Sequence, residues 1–144
     1  MSLQEDYYKT ALQQIKRGHC KGKVSNAKIY FVLSVIDRIE NGTLRENCIL
    51  FDDVSSDFYE RQCNLHSDVI TPFVKPYFHL SSSLFYHIKW KNGVKVLSYA
   101  KTPSSKFIKK NTEFAFLDVA LWKMLNDEDY RNKIRQLIIR TYLN

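Results

Sequence analysis

The sequence has few of the residues on which catalytic and metal sites depend. It contains four glycines and three cysteines, and no G-x-x-x-x-G-K-[ST], G-x-G-x-x-G or G-x-S-x-G pattern. The irregular spacing of Cys20, Cys48 and Cys63 favours reduced thiols over a disulfide framework. A zinc site would need two close ligand pairs, and only Cys63 and His66 approach that spacing. We therefore expect no metal, no cofactor and no enzymatic activity in this chain.

Long apolar runs are also missing. No window of about 18 apolar residues occurs, so the sequence predicts no membrane span and no membrane partner. The opening residues, MSLQEDYYKT, lack the apolar segment of a secretory signal, and we expect a cytoplasmic protein. The 144 residues, 44% of them hydrophobic, predict one domain with a substantial core over residues 1–144.

Acidic residues are absent from one long stretch. Residues 72–110 hold eight lysines and no Asp or Glu, in a chain whose net charge is +7. Aromatic residues alternate with these lysines, and this combination suits a polyanion with bases or sugars. An alternative is that the aromatics form core and the lysines a solvated rim. The lysines are Lys75, Lys89, Lys91, Lys95, Lys101, Lys106, Lys109 and Lys110. The aromatics are Phe73, Tyr77, Phe78, Phe85, Tyr86, Trp90, Tyr99 and Phe107.

Hydrophobic periodicity predicts a mainly helical α+β domain. Residues 3–17 form an amphipathic pattern with Leu3, Tyr7 and Leu12 on its apolar side. The segment from 25 to 39 is apolar nearly all round, which predicts a central buried helix. A further helix is expected over 51–65, with Val54 and Phe58 facing inward.

The second half of the sequence predicts a small antiparallel sheet and more packed helices. Pro72 and Pro76 interrupt regular structure, and residues 84–90 alternate as a strand does. The turn residues at 91–93 and the apolar residues at 94–97 predict a β-hairpin. A short helix near residue 103, an extended segment at 111–116, a helix capped by Asp118 and a last helix after 127 complete the expected fold.

Two basic features precede the lysine-rich stretch at residues 72–110. Lys28 lies in the first turn of the predicted central helix, where the helix dipole disfavours a cation, which points to an anionic partner. Free backbone amides at such a helix start also favour phosphate. The basic loop RGHCKGK (17–23) is either a phosphate contact or a solvated linker.

Three blocks of the sequence resemble a known family. They are NAKIYFVLSVIDRIENGTLREN (26–47), KPYFHLSSSLFYHI (75–88) and FAFLDVALWKMLNDEDYRNKIRQLIIRTYL (114–143). In this order the three blocks resemble the domain that precedes the nuclease in many bacterial HNH-type restriction endonucleases. That domain is related to the sulfur-binding domain of phosphorothioate-dependent type IV restriction enzymes. The second block looks like the family's proline-aromatic-aromatic-His-Leu segment, and the third looks like its L-D-x-x-L-[FW]-x-x-L-x-D tail.

The resemblance implies a DNA-binding domain in which an apolar cavity receives a modified phosphate. By position, Pro76, Tyr77 and His79 would line or border this cavity, with Lys28 as a rim cation. Lys75 stands where the family pattern has an aromatic residue, and the pair ending in Lys28 is less basic than that pattern. Selectivity for sulfur therefore stays open. No HNH nuclease follows in this sequence, and we expect a stand-alone reader, an excised domain or a subunit that serves a separate nuclease.

Two functions follow from these observations. The first is a non-catalytic DNA-binding module of a restriction or defence system that reads phosphorothioated or otherwise modified duplex DNA. The lysines of residues 72–110 and Lys28 would then contact the DNA backbone. The alternative is a protein-interaction or scaffold domain that uses the aromatic-rich 72–110 stretch. Single-stranded binding by base stacking is a third possibility.

Overall fold

A helix that is apolar on nearly every side runs through the centre of the protein, as its sequence predicts. This helix, α2 (Ala27–Glu40), buries 11 of its 14 residues. It packs against three other helices, and Gly42, with φ of 80°, follows its end in the left-handed conformation that glycine adopts readily. The computed structural model describes residues 2–94, 96 and 101–144.

The described residues form an α+β domain that is mainly α, with one continuous hydrophobic core. Two short antiparallel pairs, β1 with β2 and β3 with β4, supply its strands. The helices besides α2 are α1 (Leu3–Gln13), α3 (Asp53–Leu65), α4 (Val74–His79), α5 (Ser105–Asn111), α6 (Val119–Leu125) and α7 (Glu128–Ile138). The strands are β1 (His19–Cys20), β2 (Lys23–Val24), β3 (Tyr86–Trp90) and β4 (Thr112–Leu117). Short helical turns follow α4 at Leu80–Ser82 and α7 at Ile139–Leu143. None of the described helices combines the length and apolarity needed to cross a membrane.

Two helices bury a different face from the predicted one. In α1 the buried residues are Tyr8 and Leu12, while Leu3 and Tyr7 are exposed. In α3 the neighbour of Phe58, Tyr59, is fully buried, and Val54 is exposed. Each aromatic pair offers two adjacent rings on different sides of a helix, so periodicity alone does not choose between them.

Pro76 lies inside a helix rather than interrupting one, which corrects the sequence-based expectation. It is the third residue of α4, where the backbone N–H has no acceptor within the helix, so a proline can be accommodated there.

The predicted hairpin partner of β3 is also corrected. The strand pairs with β4, from Tyr86 opposite Leu117 to Trp90 opposite Thr112. Val94 and Val96 lie outside regular structure, and Lys95 and Leu97 lie outside the described residues. A distant strand therefore completes the sheet.

Most aromatics of the 72–110 stretch belong to the core. Five of them have relative exposures of 8% or less: Phe73, Tyr77, Phe78, Phe85 and Tyr86. Trp90 and Phe107 are partly exposed, and Tyr99 lies outside the described residues. The alternative that treats these aromatics as core is confirmed for the five buried ones. They separate in space from the lysines with which they alternate in sequence.

Candidate functional site

A cleft of about 520 Å³ opens at the N-terminal end of α2. Three parts of the chain form its walls: the segment from Lys16 into β1, the first turn of α2, and the outer side of α4 with the turn that follows. Its lining residues are Lys16, Arg17, Gly18, His19, Ser25, Ala27, Lys28, Thr71, Lys75, Pro76, His79, Ser82 and Thr102. Residues from 16 to 102 therefore meet at one surface.

The charge of this cleft is of one sign. Lys16, Arg17, Lys28 and Lys75 contribute cations, and His19 and His79 add two imidazoles. No Asp or Glu is among the described residues that line it. Cations held close together create a positive electrostatic potential, and the low-dielectric walls of a cleft strengthen it. The cleft is therefore electrostatically suited to an anion.

Lys28 joins two walls of the cleft. Its ammonium group donates a hydrogen bond of 2.6 Å to the backbone carbonyl of Lys16, and it lies 3.5 Å from the hydroxyl of Ser82. Burial lowers the pKa of Lys28, and the positive charge of Lys16 lowers it further. A bound anion would offset both effects, because it stabilises the charged amine.

His79 projects from α4 into the same space. Its Nε2 lies 2.7 Å from the hydroxyl oxygen of Thr102. Burial lowers the pKa of His79, and the charges of Lys28 and Lys75 lower it further. The imidazole is therefore mainly neutral at neutral pH. In that form it can donate or accept a hydrogen bond without adding to the positive charge of the cleft.

Two features complement the cations. Ala27 and Lys28 of the first turn of α2 line the cleft, and the amides of this turn have no acceptor within the helix. The N–H of Ala27 donates a hydrogen bond of 3.3 Å to the hydroxyl of Ser25. A helix N-terminus therefore adds donors and a favourable dipole to the side-chain charges. Pro76 and Ala27 supply apolar carbon beside them.

The basic loop that follows α1 folds as a tight β-hairpin. Lys21 and Gly22 form its turn with φ of 53° and 79°, which is the backbone shape of a two-residue hairpin loop. Arg17 donates a hydrogen bond of 3.0 Å to the side-chain oxygen of Asn26, and Ser25 N–H donates one of 2.8 Å to the carbonyl of Gly18. These bonds hold the hairpin base against the start of α2.

The structure brings together four of the residues predicted from sequence: Lys28, Lys75, Pro76 and His79 all line the cleft. Tyr77 does not, and its predicted place at the cavity is wrong. Its side chain is fully buried and its hydroxyl donates a hydrogen bond of 2.8 Å to the carbonyl of Ile49. Tyr77 follows Pro76 on a helix, so its side chain is rotated by about 100° around the helix axis and points toward the core.

The other predicted lysines lie elsewhere. Lys89 is on β3, 3.8 Å from the carboxylate of Glu113 and above the ring of Phe114. The remaining described ones are exposed and do not line the cleft: Lys91, Lys101, Lys106, Lys109 and Lys110. The last three share one face of α5, and Lys101 precedes the cleft residue Thr102. Lys95 lies outside the described residues.

Sequence reasoning missed Lys16, Arg17 and His19 as site residues, although it considered the loop from 17 to 23 as a phosphate contact. The available signal was the adjacent basic pair Lys16-Arg17 followed by two glycines, which indicates a turn rather than a continued helix. No local sequence pattern predicts that Thr102 lies next to His79.

Within the described part of the chain, no group of three His, Cys, Asp or Glu side chains is placed to hold a metal ion. Comparisons of the sequence with protein-family models and with curated proteins found no match. The geometry and charge of the cleft therefore carry the functional argument.

Proposed function

We propose that the protein is a DNA-binding module that holds a backbone phosphate in the cleft at the start of α2. The observation that carries the proposal is the convergence of Lys16, Arg17, Lys28 and Lys75, from three separate parts of the chain, with no carboxylate among the described lining residues. Basic clusters of this kind contact phosphate oxygens and position a protein on nucleic acid.

We propose that exposed lysines outside the cleft make further phosphate contacts. Lys106, Lys109 and Lys110 form a basic face on α5, and Lys101 lies next to a cleft residue. A duplex presents regularly spaced phosphates over a long surface, so several lysines can neutralise charge at once. We propose duplex DNA as the ligand, and binding without catalysis as the role.

A modified backbone is the finer part of the proposal. Pro76 and Ala27 place apolar carbon beside the cations, and a sulfur that replaces a phosphate oxygen is larger and less well hydrated. The resemblance to the recognition domain of HNH-type restriction endonucleases supports this ligand and a defence system whose nuclease is a separate domain or subunit. Interaction with a protein through the aromatic stretch is less favoured, because five of its aromatics are buried.

The test is equilibrium binding by fluorescence anisotropy at low salt. Unmodified, phosphorothioated and methylated duplexes of one sequence are compared with the corresponding single strand. We expect all duplexes to bind with affinity that falls steeply as salt rises, and the phosphorothioated duplex to bind tightest. Absence of measurable binding to every duplex would overturn the proposed function, whereas equal affinities would overturn only the modified-backbone part.

A further inference from the structure

A second cavity adjoins the basic cleft and differs from it in chemistry. It has a volume of about 350 Å³ and shares Ser25, Ala27 and Thr71 with the cleft. Beyond this common wall lie the β1–β2 hairpin and the segment that follows α3. The two cavities are neighbouring compartments of one continuous surface.

Apolar side chains line the second cavity from two different elements. Val24 of β2 is 47% exposed, and Val69 of the segment after α3 is 72% exposed. Both stay accessible to solvent, and both line the same cavity. A flat apolar ligand between them would remove this surface from water.

The charged residues that line the second cavity are Lys21 and Lys23 from the hairpin and Asp68 from the segment after α3. Asp68 is the hydrogen-bond acceptor among them. One carboxylate oxygen accepts a hydrogen bond of 2.6 Å from the hydroxyl of Tyr30, and the other accepts one of 2.8 Å from the backbone N–H of Val69. These bonds fix the carboxylate, while each oxygen keeps a further lone pair. An ionised carboxylate only accepts hydrogen bonds, so the group favours a ligand edge that carries donors.

We propose that this second cavity receives an unpaired nucleobase of the same strand whose phosphate occupies the basic cleft. The inference rests on the proposed function, since it places the two chemical parts of one nucleotide in adjoining compartments. Asp68 gives the second cavity a carboxylate acceptor that the basic cleft lacks, while Lys21 and Lys23 add cations that favour the phosphates of the same strand.

The base must be unpaired because pairing occupies the donor edge that Asp68 would contact. An enclosed pocket reaches a base only after that base leaves the helical stack, and extrusion is easiest where the base has no partner. Guanine presents two adjacent donors, N1–H and the N2 amino group, that one carboxylate can accept together. Adenine and cytosine present one amino group, and thymine presents no amino group. Guanine is therefore the favoured base.

The experiment uses the full chain and short labelled duplexes that differ only at one bulged position. The bulge is guanine, adenine, cytosine, thymine or an abasic site, and a fully paired duplex and free guanosine monophosphate complete the set. We expect the guanine bulge to bind about tenfold more tightly than the abasic bulge, which is the scale of one good base contact. Thymine, which has no amino group, should bind only slightly more tightly than the abasic site because it keeps the apolar contact with Val69. The free nucleotide should bind far more weakly than the bulged duplex.

Variants assign the preference to the cavity. Asp68→Asn keeps an oxygen for Tyr30 but adds a donor, so it should abolish the preference for guanine. Val69→Ser, at an exposed position, should reduce affinity for every bulged base and leave the abasic duplex unchanged. Asp57→Asn, an exposed carboxylate on α3 outside the cavity, is the matched control and should change nothing.

The outcomes separate the two proposals. Equal affinity for guanine and abasic bulges, a thymine preference, or an unchanged guanine preference in Asp68→Asn would overturn the base pocket. If those results came with salt-dependent duplex binding, the proposed function would still stand. Tight binding of the free nucleotide would overturn the link to a nucleic-acid strand. Failure to bind any duplex would overturn both proposals.

Discussion

The ammonium group of Lys28 donates a hydrogen bond to the backbone carbonyl of Lys16 over 2.6 Å. This bond joins the first turn of α2 to the segment that leads into the β1–β2 hairpin. It also holds Lys28 near the charge of Lys16, which contributes to its lowered pKa. An anion bound between these cations would reduce their mutual repulsion, so its binding would be favourable.

Lys75 is the best position for testing the charge of the cleft. It is exposed on α4 and lines the cleft, so Lys75→Gln should fold normally. We expect its affinity for duplex DNA to fall about tenfold, and the slope of log affinity against log salt to become shallower by about one unit. Anisotropy titrations across a range of salt concentrations measure both effects.

Lys123→Gln is the matched control for Lys75→Gln. Lys123 is an exposed lysine on α6 and does not line the cleft. Its substitution removes the same charge from the whole protein, and we expect both affinity and salt slope to stay near the original values. Equal losses in the two variants would show that net charge, rather than this cleft, determines binding.

His79 makes DNA binding depend on pH. Its pKa in the free protein lies below the ordinary value of about 6.5, because burial and the charges of Lys28 and Lys75 disfavour the imidazolium. A phosphate in the cleft stabilises the imidazolium, so the bound state takes up a proton as the pH falls. Affinity should therefore rise severalfold as the pH falls from about 7 toward the lowered pKa of the free protein, and then level off.

The control for this pH dependence is His79→Gln, whose amide can still meet the hydroxyl of Thr102. Anisotropy at constant ionic strength should give a flatter pH profile for the variant. A profile identical to that of the unmodified protein would show that His79 does not cause the pH dependence.

Gly22 tests whether the hairpin positions the basic segment. Its φ of 79° is strained for a side-chain-bearing residue, and nothing lies within 4 Å of an added Cβ, so Gly22→Val acts through the backbone alone. We expect distortion of the turn and a clear loss of DNA affinity. Circular dichroism should show little change in the helices, since the hairpin lies outside them.

Gly42→Val is the matched backbone control. Gly42 has φ of 80° and open space around an added Cβ, but it lies at the far end of α2 from the cleft. The variant should lose about 1–2 kcal/mol of unfolding free energy and retain DNA affinity. If Gly22→Val bound DNA as well as Gly42→Val does, the hairpin would have no role in binding.

Tyr77 should affect stability and not binding. Its hydroxyl donates to the carbonyl of Ile49 in the core, and that carbonyl also accepts from the N–H of Ala115. Because one acceptor bond remains, Tyr77→Phe should lower the free energy of unfolding by about 1 kcal/mol. Chemical denaturation measures this loss, and a drop in DNA affinity of the folded variant would restore Tyr77 to the binding surface.

Local sequence patterns were sufficient for much of the fold. The all-round apolarity of residues 29–39 predicted a central helix, and the alternation before Trp90 predicted β3. The pairing of β3 was not predictable in the same way. A nearby turn at 91–93 favoured the next residues along the chain, but the partner strand begins at Thr112, and such long-range pairing is decided by packing of the whole core.

Asp118 shows how tertiary contacts override a local rule. The sequence predicts a capping carboxylate at the start of α6, and Asp118 does occupy that position. Its carboxylate makes no capping bond there and instead accepts a hydrogen bond of 2.8 Å from the hydroxyl of Tyr8 while lying 2.5 Å from Nε2 of His87. Partners from α1 and β3 are invisible to a pattern read within a few residues.

The candidate site was predictable only in part for the same reason. Lys28, Lys75, Pro76 and His79 were selected from sequence and lie together in the cleft. The excess of lysine over acid in 72–110 identified basic residues without showing which ones converge. Lys89 illustrates the difference, because the carboxylate of Glu113 on the paired strand lies 3.8 Å from its ammonium group.

The most direct test of the central claim is a nuclear magnetic resonance titration of the isotope-labelled protein with a short duplex. With a phosphate bound in the cleft, amide shifts should concentrate at Gly18, Ala27, Lys28, Lys75 and Thr102. Lys9 and Lys133, which line a separate cavity between α1 and α7, should remain unperturbed. Shifts that centre on Lys9 and Lys133, or that leave the cleft residues unchanged at saturating DNA, would contradict DNA binding at the cleft.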